Sequence, residues 1–185
     1  PGTGCFRANS RTRAARDGAT VVSFAELAFE RFHPQRPAGD APWQLAETVP
    51  GPTTDLFARA ARDLGVVVVL NLFERDGERT FDCSPVIDAD GTLLGRTRMI
   101  HITDYPCFHE QGYYVPGDTG APVYRTRAGL IGVAITTVLA VISAESSAGT
   151  MARAVGSTWE FCSCSVCCRV ILLFPARPAV IVDSR

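Results

Sequence analysis

Lysine is absent from this 185-residue sequence, so all 18 basic side chains are arginines. No side-chain ammonium group is therefore available anywhere in the chain to stabilise a developing negative charge. The 19 acidic residues leave a formal net charge of −1. Proteins that bind nucleic acid or anionic lipid electrostatically carry a strongly basic surface. The composition thus predicts no nucleic-acid partner and no membrane-surface partner.

Apolar runs long enough to cross a bilayer are absent too. The longest runs, residues 130–142 and 170–182, are too short or are interrupted by proline and arginine, whereas a membrane helix needs about 20 residues. The polar, basic N-terminal stretch has no apolar core of the kind that a secretory signal requires. We expect a cytoplasmic protein. The length and the 46% hydrophobic content are sufficient for one globular domain.

The seven cysteines are an odd number, and four of them lie in CSCSVCC, residues 162–168, so a disulfide framework is not indicated. Thiolates bind zinc and Cu(I), but this string has no second pair to complete a tetrahedral site, and small buried thiols are the alternative interpretation. The histidines, His33, His101 and His109, have no spacing typical of a metal site. We expect no metal and no cofactor.

Hydrophobic patterning predicts a strand at residues 20–24 that ends just before Glu26. After a proline-rich loop, residues 53–65 match an amphipathic helix with a threonine cap, a buried face that includes Leu56, and Gly65 as its end. Such a helix is expected to cover one face of a sheet.

The run from Val66 to Phe73 is too apolar to be half exposed and predicts one strand covered on both faces. Turn residues predict a hairpin at Asp76-Gly77, and a strand pair at residues 122–126 and 130–135. Pro85 falls within a predicted strand and is expected at a sheet edge or a bulge. Together these elements predict a layered α/β fold.

Aromatic and ionisable residues are concentrated in HITDYPCFHEQGYYVPGDTG, residues 101–120. Glu110 in this segment and Glu26 could form a carboxylate pair, one accepting a proton and the other orienting or donating one. The alternative is that each glutamate is a solvated surface group. Cys107 is expected to line a pocket, and Gly117–Gly120 to form a turn rather than a phosphate-binding loop.

Several blocks resemble the carbon–nitrogen hydrolase (nitrilase) superfamily, in the order in which that superfamily has them. They are VVSFAELAF, TVPGPTTDLFARAARDLGVVVVLNLFER, VIDADGTLLGRTRMIHI, HEQGYYVPGDTG and GLIGVAI, and they extend over residues 14–135. The 101–120 segment is most similar to that of N-carbamoylputrescine amidases, followed by β-ureidopropionase-like enzymes. Agreement over several separate blocks is more specific than any single short motif.

The resemblance implies an α/β fold: a partial αββα sandwich of the nitrilase type that lacks the first strand and most of the C-terminal half. Residues 1–135 would form the N-terminal half of the domain, and residues 136–185 a divergent tail. Members of the superfamily use a cysteine nucleophile, a glutamate base, a lysine and a second glutamate. By position, the base is Glu26, although Ala25 replaces the usual proline, and the second glutamate is Glu110.

The other two catalytic positions are substituted. Met99 stands at the lysine position and Thr136 at the nucleophile position. Arg98 is adjacent to Met99, but neighbouring strand residues face opposite sides, and a guanidinium is larger than an ammonium. A threonine hydroxyl is a weaker nucleophile than a thiol, and a carboxylate is a poor base for an alcohol. We therefore expect normal amide hydrolysis to be impaired.

The ancestral reaction implied by the resemblance is hydrolysis of an N-carbamoyl amine or similar amide to amine, carbon dioxide and ammonia, in polyamine metabolism. Its partner would be that small molecule. The alternative is an inactive, truncated or frameshifted homologue that acts as an interaction protein, since the resemblance stops abruptly at Thr136. Half a sandwich leaves an apolar face, which the tail or a homo-oligomer would have to cover.

Overall fold

The computed structural model describes the backbone of residues 14–136, 169–173 and 179–182, and the side chains of residues 14–135. Within those ranges the chain forms a six-stranded sheet, a three-stranded sheet and a two-stranded ribbon. The CSCSVCC string lies outside the described residues. Among the described residues, no helix is both long enough and apolar enough to cross a bilayer.

The larger sheet is mixed and has the order β11-β1-β2-β4-β3, with β5 also paired to β4. Its strands are β1 (Val21–Phe24), β2 (Val67–Val69), β3 (Leu72–Asp76), β4 (Arg79–Ile87), β5 (Leu93–Arg98) and β11 (Ala179–Val182). Strand β1 pairs in parallel with both β2 and β11, whereas β4 is antiparallel to its three neighbours. The predicted strand before Glu26 and the hairpin at Asp76-Gly77 are confirmed.

The predicted strand from Val66 to Phe73 is buried along its whole length, as its composition requires, but it is divided into β2 and β3 at Leu70 and Asn71. Both halves keep one register against β4, and the Leu70 N–H still donates to the Pro85 carbonyl at 3.1 Å. Pro85 has no N–H to return that bond, so the ladder is interrupted opposite it. Proline is therefore tolerated inside this sheet rather than at its edge, next to a bulge between Val86 and Ile87.

One face of the sheet is covered by helix α1 (Pro52–Leu64), which ends at Gly65 in the left-handed conformation. The N-cap is Gly51 rather than a threonine, and the Gly51 N–H donates to the Thr54 hydroxyl at 2.7 Å. Phe57 is buried against the sheet, but Leu56 is 49% exposed, contrary to the prediction. Leu56 precedes Phe57 by one residue, which is about 100° around the helix and away from the contact.

The other face packs on the smaller sheet, whose strands are β8 (Val123–Thr126), β9 (Gly129–Thr136) and β10 (Arg169–Leu173), in the order β10-β9-β8. Tyr124, Ile131 and Val133 of this sheet form one apolar cluster with Val67 and Val86 of the larger sheet. Helix, sheet and sheet thus form three successive layers, which agrees with the predicted sandwich. The face of β8 and β9 that points away from this cluster exposes Val123 and Leu130.

Candidate functional site

Residue alternation divides the larger sheet into a helix side and an inter-sheet side. In register, Phe73 lies opposite Asp82 on β4, and Met99 follows β5 with its N–H bonded to the Asp82 carbonyl at 2.9 Å. Residues directly opposite in a ladder share a face. These three residues therefore lie on the inter-sheet side, while Arg98 lies on the helix side.

Glu26 reaches the inter-sheet layer from the end of β1 and is buried. The next residue, Leu27, has a φ of 47°, an uncommon conformation for a residue with a side chain. Its N–H donates to the Asn71 Oδ1 at 2.9 Å, which holds this turn against the interruption between β2 and β3. The polar residue that interrupts the apolar run thus fixes the backbone beside Glu26.

Asp82 is a further buried acid in this layer, beside Glu26. The Asn71 amide donates to Asp82, and it also lies 3.4 Å from the Ser84 hydroxyl. Burial raises the pKa of Asp82 to about 6, hydrogen bonds to the Glu26 carboxyl and to Asn71 oppose that rise, and the charge of Glu110 adds to it. The Glu26 carboxyl and the Glu110 charge thus act on Asp82 in opposite directions, since Glu26 lowers its pKa and Glu110 raises it.

Glu110 is buried in a short 3-10 turn, Glu110–Gly112, within the 101–120 segment. Its Oε2 accepts the Thr103 N–H at 3.0 Å, and its backbone carbonyl accepts the N–H groups of Tyr113 and Tyr114, both at 2.9 Å. The carboxylate is thus held by its own segment, and its charge acts on Asp82. We refer to Glu26, Asp82 and Glu110 as the carboxyl cluster.

The apolar wall of the site is formed by residues adjoining each predicted position. Leu27 follows Glu26, Ile135 precedes Thr136, and Tyr113 lies one turn beyond Glu110; all three pack in one cluster with Met99 itself. Phe73, Phe108 and Tyr114 complete its buried members. The fold therefore brings Glu26, Met99 and Glu110 around Asp82, and Ile135, the residue before Thr136, packs in the same apolar cluster.

Thr136 is the last residue of β9, and its side chain lies outside the described part of the chain. Met99 is 1% exposed and supplies a thioether where a cation was expected from the resemblance. A thioether carries no charge and donates no hydrogen bond. Within residues 14–135, the buried carboxyl cluster is instead stabilised by amide and hydroxyl donors.

Arg98 does not replace the lysine, because its guanidinium is committed on the helix side. It contacts Glu74 at 2.7 and 2.8 Å, Asp76 at 2.7 Å and Asp118 at 2.7 Å, and lies 3.8 Å from the centre of the Phe81 ring. We call Arg98 and its three acid partners the ion cluster. Bidentate, hydrogen-bonded pairing of this kind is strong and directional, so the guanidinium is held away from the carboxyl cluster.

Residues 117–119 lie beside the end of β5, and the chain bends at Thr119, within the segment predicted as a turn. The Gly117 N–H donates to the Met99 carbonyl at 2.8 Å, and the Thr119 hydroxyl accepts the Arg98 N–H at 2.9 Å. A Cβ on Gly117 would lie 2.7 Å from the Arg98 carbonyl oxygen, so a glycine is needed for this approach. The segment therefore covers the β5 edge and delivers Asp118 to Arg98.

Other residues of the 101–120 segment lie away from the site. Cys107 is exposed, with a φ of 66°, so the expectation that it lines a pocket is wrong. It occupies the tight turn between β6 (Asp104–Tyr105) and β7 (Phe108–His109). His101 is exposed as well. Among the described residues, no group of three or more histidine, cysteine or acidic side chains is arranged to hold a metal ion.

Sequence reasoning missed Asn71 and Asp82. Asn71 could have been noticed as the single polar residue in VVVVLNLF, an apolar run. A buried polar side chain in such a run needs partners, and it finds them in Leu27 and Asp82. Asp82 gives no comparable signal. It lies in a strand that contains both polar and apolar residues, so the sequence does not show on which face of the sheet its side chain lies.

The comparisons with known proteins match nearly the same part of the chain as the sequence blocks that carry the resemblance. The carbon-nitrogen hydrolase family model matches residues 8–137. An N-carbamoylputrescine amidase of Solanum lycopersicum is 37% identical over 135 residues, which cover 72% of this chain and 45% of the relative. An N-carbamoylputrescine amidase of Arabidopsis thaliana is 43% identical over 119 residues, covering 64% of this chain and 40% of the relative.

Among solved structures, a carbon-nitrogen hydrolase from Helicobacter pylori G27 is similar with a TM-score of 0.62 and 26% identity. The match covers 68% of this chain and 43% of the H. pylori chain. The present chain therefore spans less than half the length of these relatives.

Proposed function

Because the chain belongs to the carbon–nitrogen hydrolase family, we propose that it derives from an enzyme that hydrolyses N-carbamoyl amines or similar non-peptide amides, and that cleavage by this chain is impaired. Residues 1–135 would form the N-terminal half of a carbon–nitrogen hydrolase-like domain, and residues 136–185 a divergent tail. The observation that supports this most directly is the carboxyl cluster, buried beside Met99 in the layer between the sheets.

The chemistry of an amide-cleaving site explains the proposed roles. Glu26 would take the proton of the attacking group, and it lies beside Asp82, whose pKa its carboxyl lowers. Glu110, held by Thr103, would orient the substrate or the leaving amine. The tetrahedral intermediate places a negative charge on oxygen, and a preorganised donor or cation usually stabilises it.

Impairment follows from what stands at the other two positions. Met99 supplies no donor, and three buried acids repel an oxyanion rather than stabilise it. Thr136 offers a hydroxyl whose proton a carboxylate removes poorly. The site thus keeps proton acceptors and lacks both an effective nucleophile and a cation.

Ammonia release from N-carbamoylputrescine by the full chain tests the proposal. We expect no release above that of a Glu26→Gln variant, and measurable release from a Thr136→Cys, Met99→Lys variant that Glu26→Gln again abolishes. Release by the unsubstituted chain above its Glu26→Gln control would overturn the proposed impairment. A folded doubly substituted chain without activity would show that these two positions do not account for the loss.

A second candidate, a non-catalytic interaction protein, is favoured by the apolar Val123 and Leu130, which are 64% and 45% exposed on one face of the smaller sheet. This function would require binding through that face. Light scattering after size-exclusion chromatography, compared between the unsubstituted chain and a Val123→Ser, Leu130→Ser variant, tests self-association. An assembly that is equally stable in both proteins would exclude that face as its interface.

A further inference from the structure

Away from the carboxyl cluster, the described part of the chain contains a concavity whose permanently charged lining residues are arginines. It has a volume of about 260 Å³ and is lined by residues of the loop after β1 together with Tyr113 of the 101–120 segment. The lining residues used below are Arg31, Phe32, His33, Gln35, Arg36 and Tyr113. We call this concavity the arginine cleft. No acidic residue is among its described lining residues.

Both arginines are available for a ligand. Arg31 and Arg36 are exposed, and within residues 14–135 neither forms an ion pair. A guanidinium presents its N–H groups in a planar fork that matches the two oxygens of a carboxylate or a phosphate. Two such groups beside one concavity therefore favour an oxyanion over a cation.

His33 supplies a third polar group, which is held rigidly. Its imidazole is in contact with the rings of Phe73 and Tyr113, with centroid distances of 4.9 and 4.8 Å. The side chain is only 10% exposed, and within the described part of the chain its buried Nε2 has no hydrogen-bond partner. The nearest acid, Glu30, lies 3.8 Å from Nδ1, the other ring nitrogen. A buried polar atom without a partner is unusual and needs an explanation.

The size and the walls limit the ligand. A volume of about 260 Å³ is below the range of roughly 300–1,000 Å³ typical for drug-sized ligands. The Tyr113 hydroxyl already donates to the Arg36 carbonyl at 3.1 Å, so it fixes the wall of the cleft. Phe32 and the Tyr113 ring provide apolar contacts, and the Gln35 amide adds a donor and an acceptor.

From these features we propose that the arginine cleft binds a small oxyanion, a carboxylate or a phosphate, between Arg31 and Arg36 and beside the imidazole of His33. The cleft shares Tyr113 with the apolar wall of the amide site, but the proposed anion contacts use neither the carboxyl cluster nor amide cleavage. The shared chemistry of carboxylate and phosphate leaves two sources of ligand, an organic acid and inorganic phosphate, which direct titration distinguishes.

Titration of the His33 imidazole can report whether an anion binds in the arginine cleft. Burial lowers the pKa of His33, a hydrogen bond with the Arg31 backbone opposes that change, and an anion bound near the ring would raise the pKa by stabilising the imidazolium. The charged and titratable groups around it are Glu30, Arg31, Arg36, Tyr113 and Tyr114. With three histidines in the sequence, the imidazole signal of His33 in proton NMR can be assigned by its loss in a His33→Gln variant.

The experiment titrates the full chain separately with inorganic phosphate, succinate and 1,4-diaminobutane, and follows the His33 signal against pH. We expect phosphate or succinate to raise the pKa of His33 in a saturable way and the diamine to have no such effect. Arg31→Gln and Arg36→Gln should each weaken anion binding on the order of tenfold, since each removes a charged hydrogen-bond donor. Arg59→Gln, an exposed substitution on α1, is the matched control and should leave it unchanged.

Two results would overturn the proposal. One is the absence of any saturable change in the His33 signal with either anion in the millimolar range. The other is an equal response in the Arg31→Gln, Arg36→Gln and Arg59→Gln proteins, which would indicate general screening by salt. Because no step uses amide hydrolysis, neither result bears on the function proposed above.

Discussion

Met99 lies directly opposite Asp82, with its backbone N–H donating to the Asp82 carbonyl at 2.9 Å, so both side chains lie on the inter-sheet side of the larger sheet. At the position that the resemblance assigns to a lysine, an uncharged side chain thus shares a face with a buried acid. The absence of a cation is local to this face, because Arg98, one residue earlier, is buried in the ion cluster.

A cation at position 99 should change the titration of Asp82. We expect Met99→Lys to lower the pKa of Asp82 from about 6 by roughly one to three units, as an opposite charge within a few ångströms does. Carbon-13 NMR of the side-chain carboxyl groups measures this value. Met99→Leu keeps the site apolar and is the control. An unchanged pKa in the folded lysine variant would place residue 99 outside the range of the carboxyl cluster.

Asp82 itself should make stability fall as the pH rises. Its folded pKa of about 6 exceeds the ordinary value of 3.8, so the folded state binds the proton more tightly than the unfolded state does. The associated stabilisation is complete below about pH 4 and is lost as the pH rises to about 6, at a cost on the order of 2–3 kcal/mol. Urea unfolding between these pH values should show the loss, and Asp82→Asn should remove it.

Asp118→Asn is the contrast for that experiment. Hydrogen bonding and the charge of Arg98 lower the pKa of Asp118, so its contribution is present above the ordinary pKa and is lost as the pH falls through the lowered one. The slope between pH 4 and 6 should therefore remain in Asp118→Asn. An equal slope in Asp82→Asn and the unsubstituted chain would contradict the assignment to Asp82.

Asn71 should be more important to stability than its single side chain suggests. Replacement by leucine leaves the Leu27 N–H and a carboxyl oxygen of Asp82 without their partner, at about 1–3 kcal/mol for each buried group. Urea unfolding of Asn71→Leu measures the sum. Ser84→Ala, which loses only a contact at 3.4 Å, is the matched control and should cost less than about 1 kcal/mol. Equal losses in the two variants would refute the role of Asn71 as the link.

Arg98 should be a major contributor to stability, and Arg79 a minor one. Arg98→Met leaves the buried Glu74 with only the partly exposed Arg96, 3.1 Å away, and losing the buried partner of such a pair costs up to roughly 3–5 kcal/mol in comparable cases. Arg79 is 54% exposed in its pair with Asp118, and such surface pairs contribute at most about 1 kcal/mol. Chemical denaturation compares Arg98→Met with Arg79→Met, and adding Glu74→Met to the former should recover part of the loss. Similar losses for both arginines would be inconsistent with the buried geometry.

The sequence predicts the layers better than the contacts within them. Burial of Val66–Phe73 and the turn at Asp76-Gly77 follow from composition and turn chemistry, which are local properties. The partner of Glu26 is not local: Asp82 reaches it only because β4 lies beside β2, and strand order is set by the whole chain. Local patterning therefore locates Glu26 but does not reveal that Asp82 lies beside it.

The errors on α1 and at Cys107 have a similar origin. Leucine is apolar wherever it stands, and a shift of about 100° around a helix decides whether Leu56 meets the sheet or the solvent. The turn at Cys107 has a positive φ, which residue type alone does not predict for cysteine. In both cases the side chain's direction depends on backbone geometry that composition does not determine.

Arg98 and Met99 lie on opposite faces of the larger sheet. The register of β5 against β4 therefore decides whether a guanidinium or a thioether faces the carboxyl cluster. Moving β5 by one residue relative to β4 would invert every side chain on it, bringing the guanidinium among the buried acids and the thioether out beneath the helix. The hydrogen bonds of Arg98 to three carboxylates oppose that shift in register. A one-residue deletion in the connection between Ile87 and Leu93 would favour the shifted register, whereas the ion pairs of Arg98 would favour the native one.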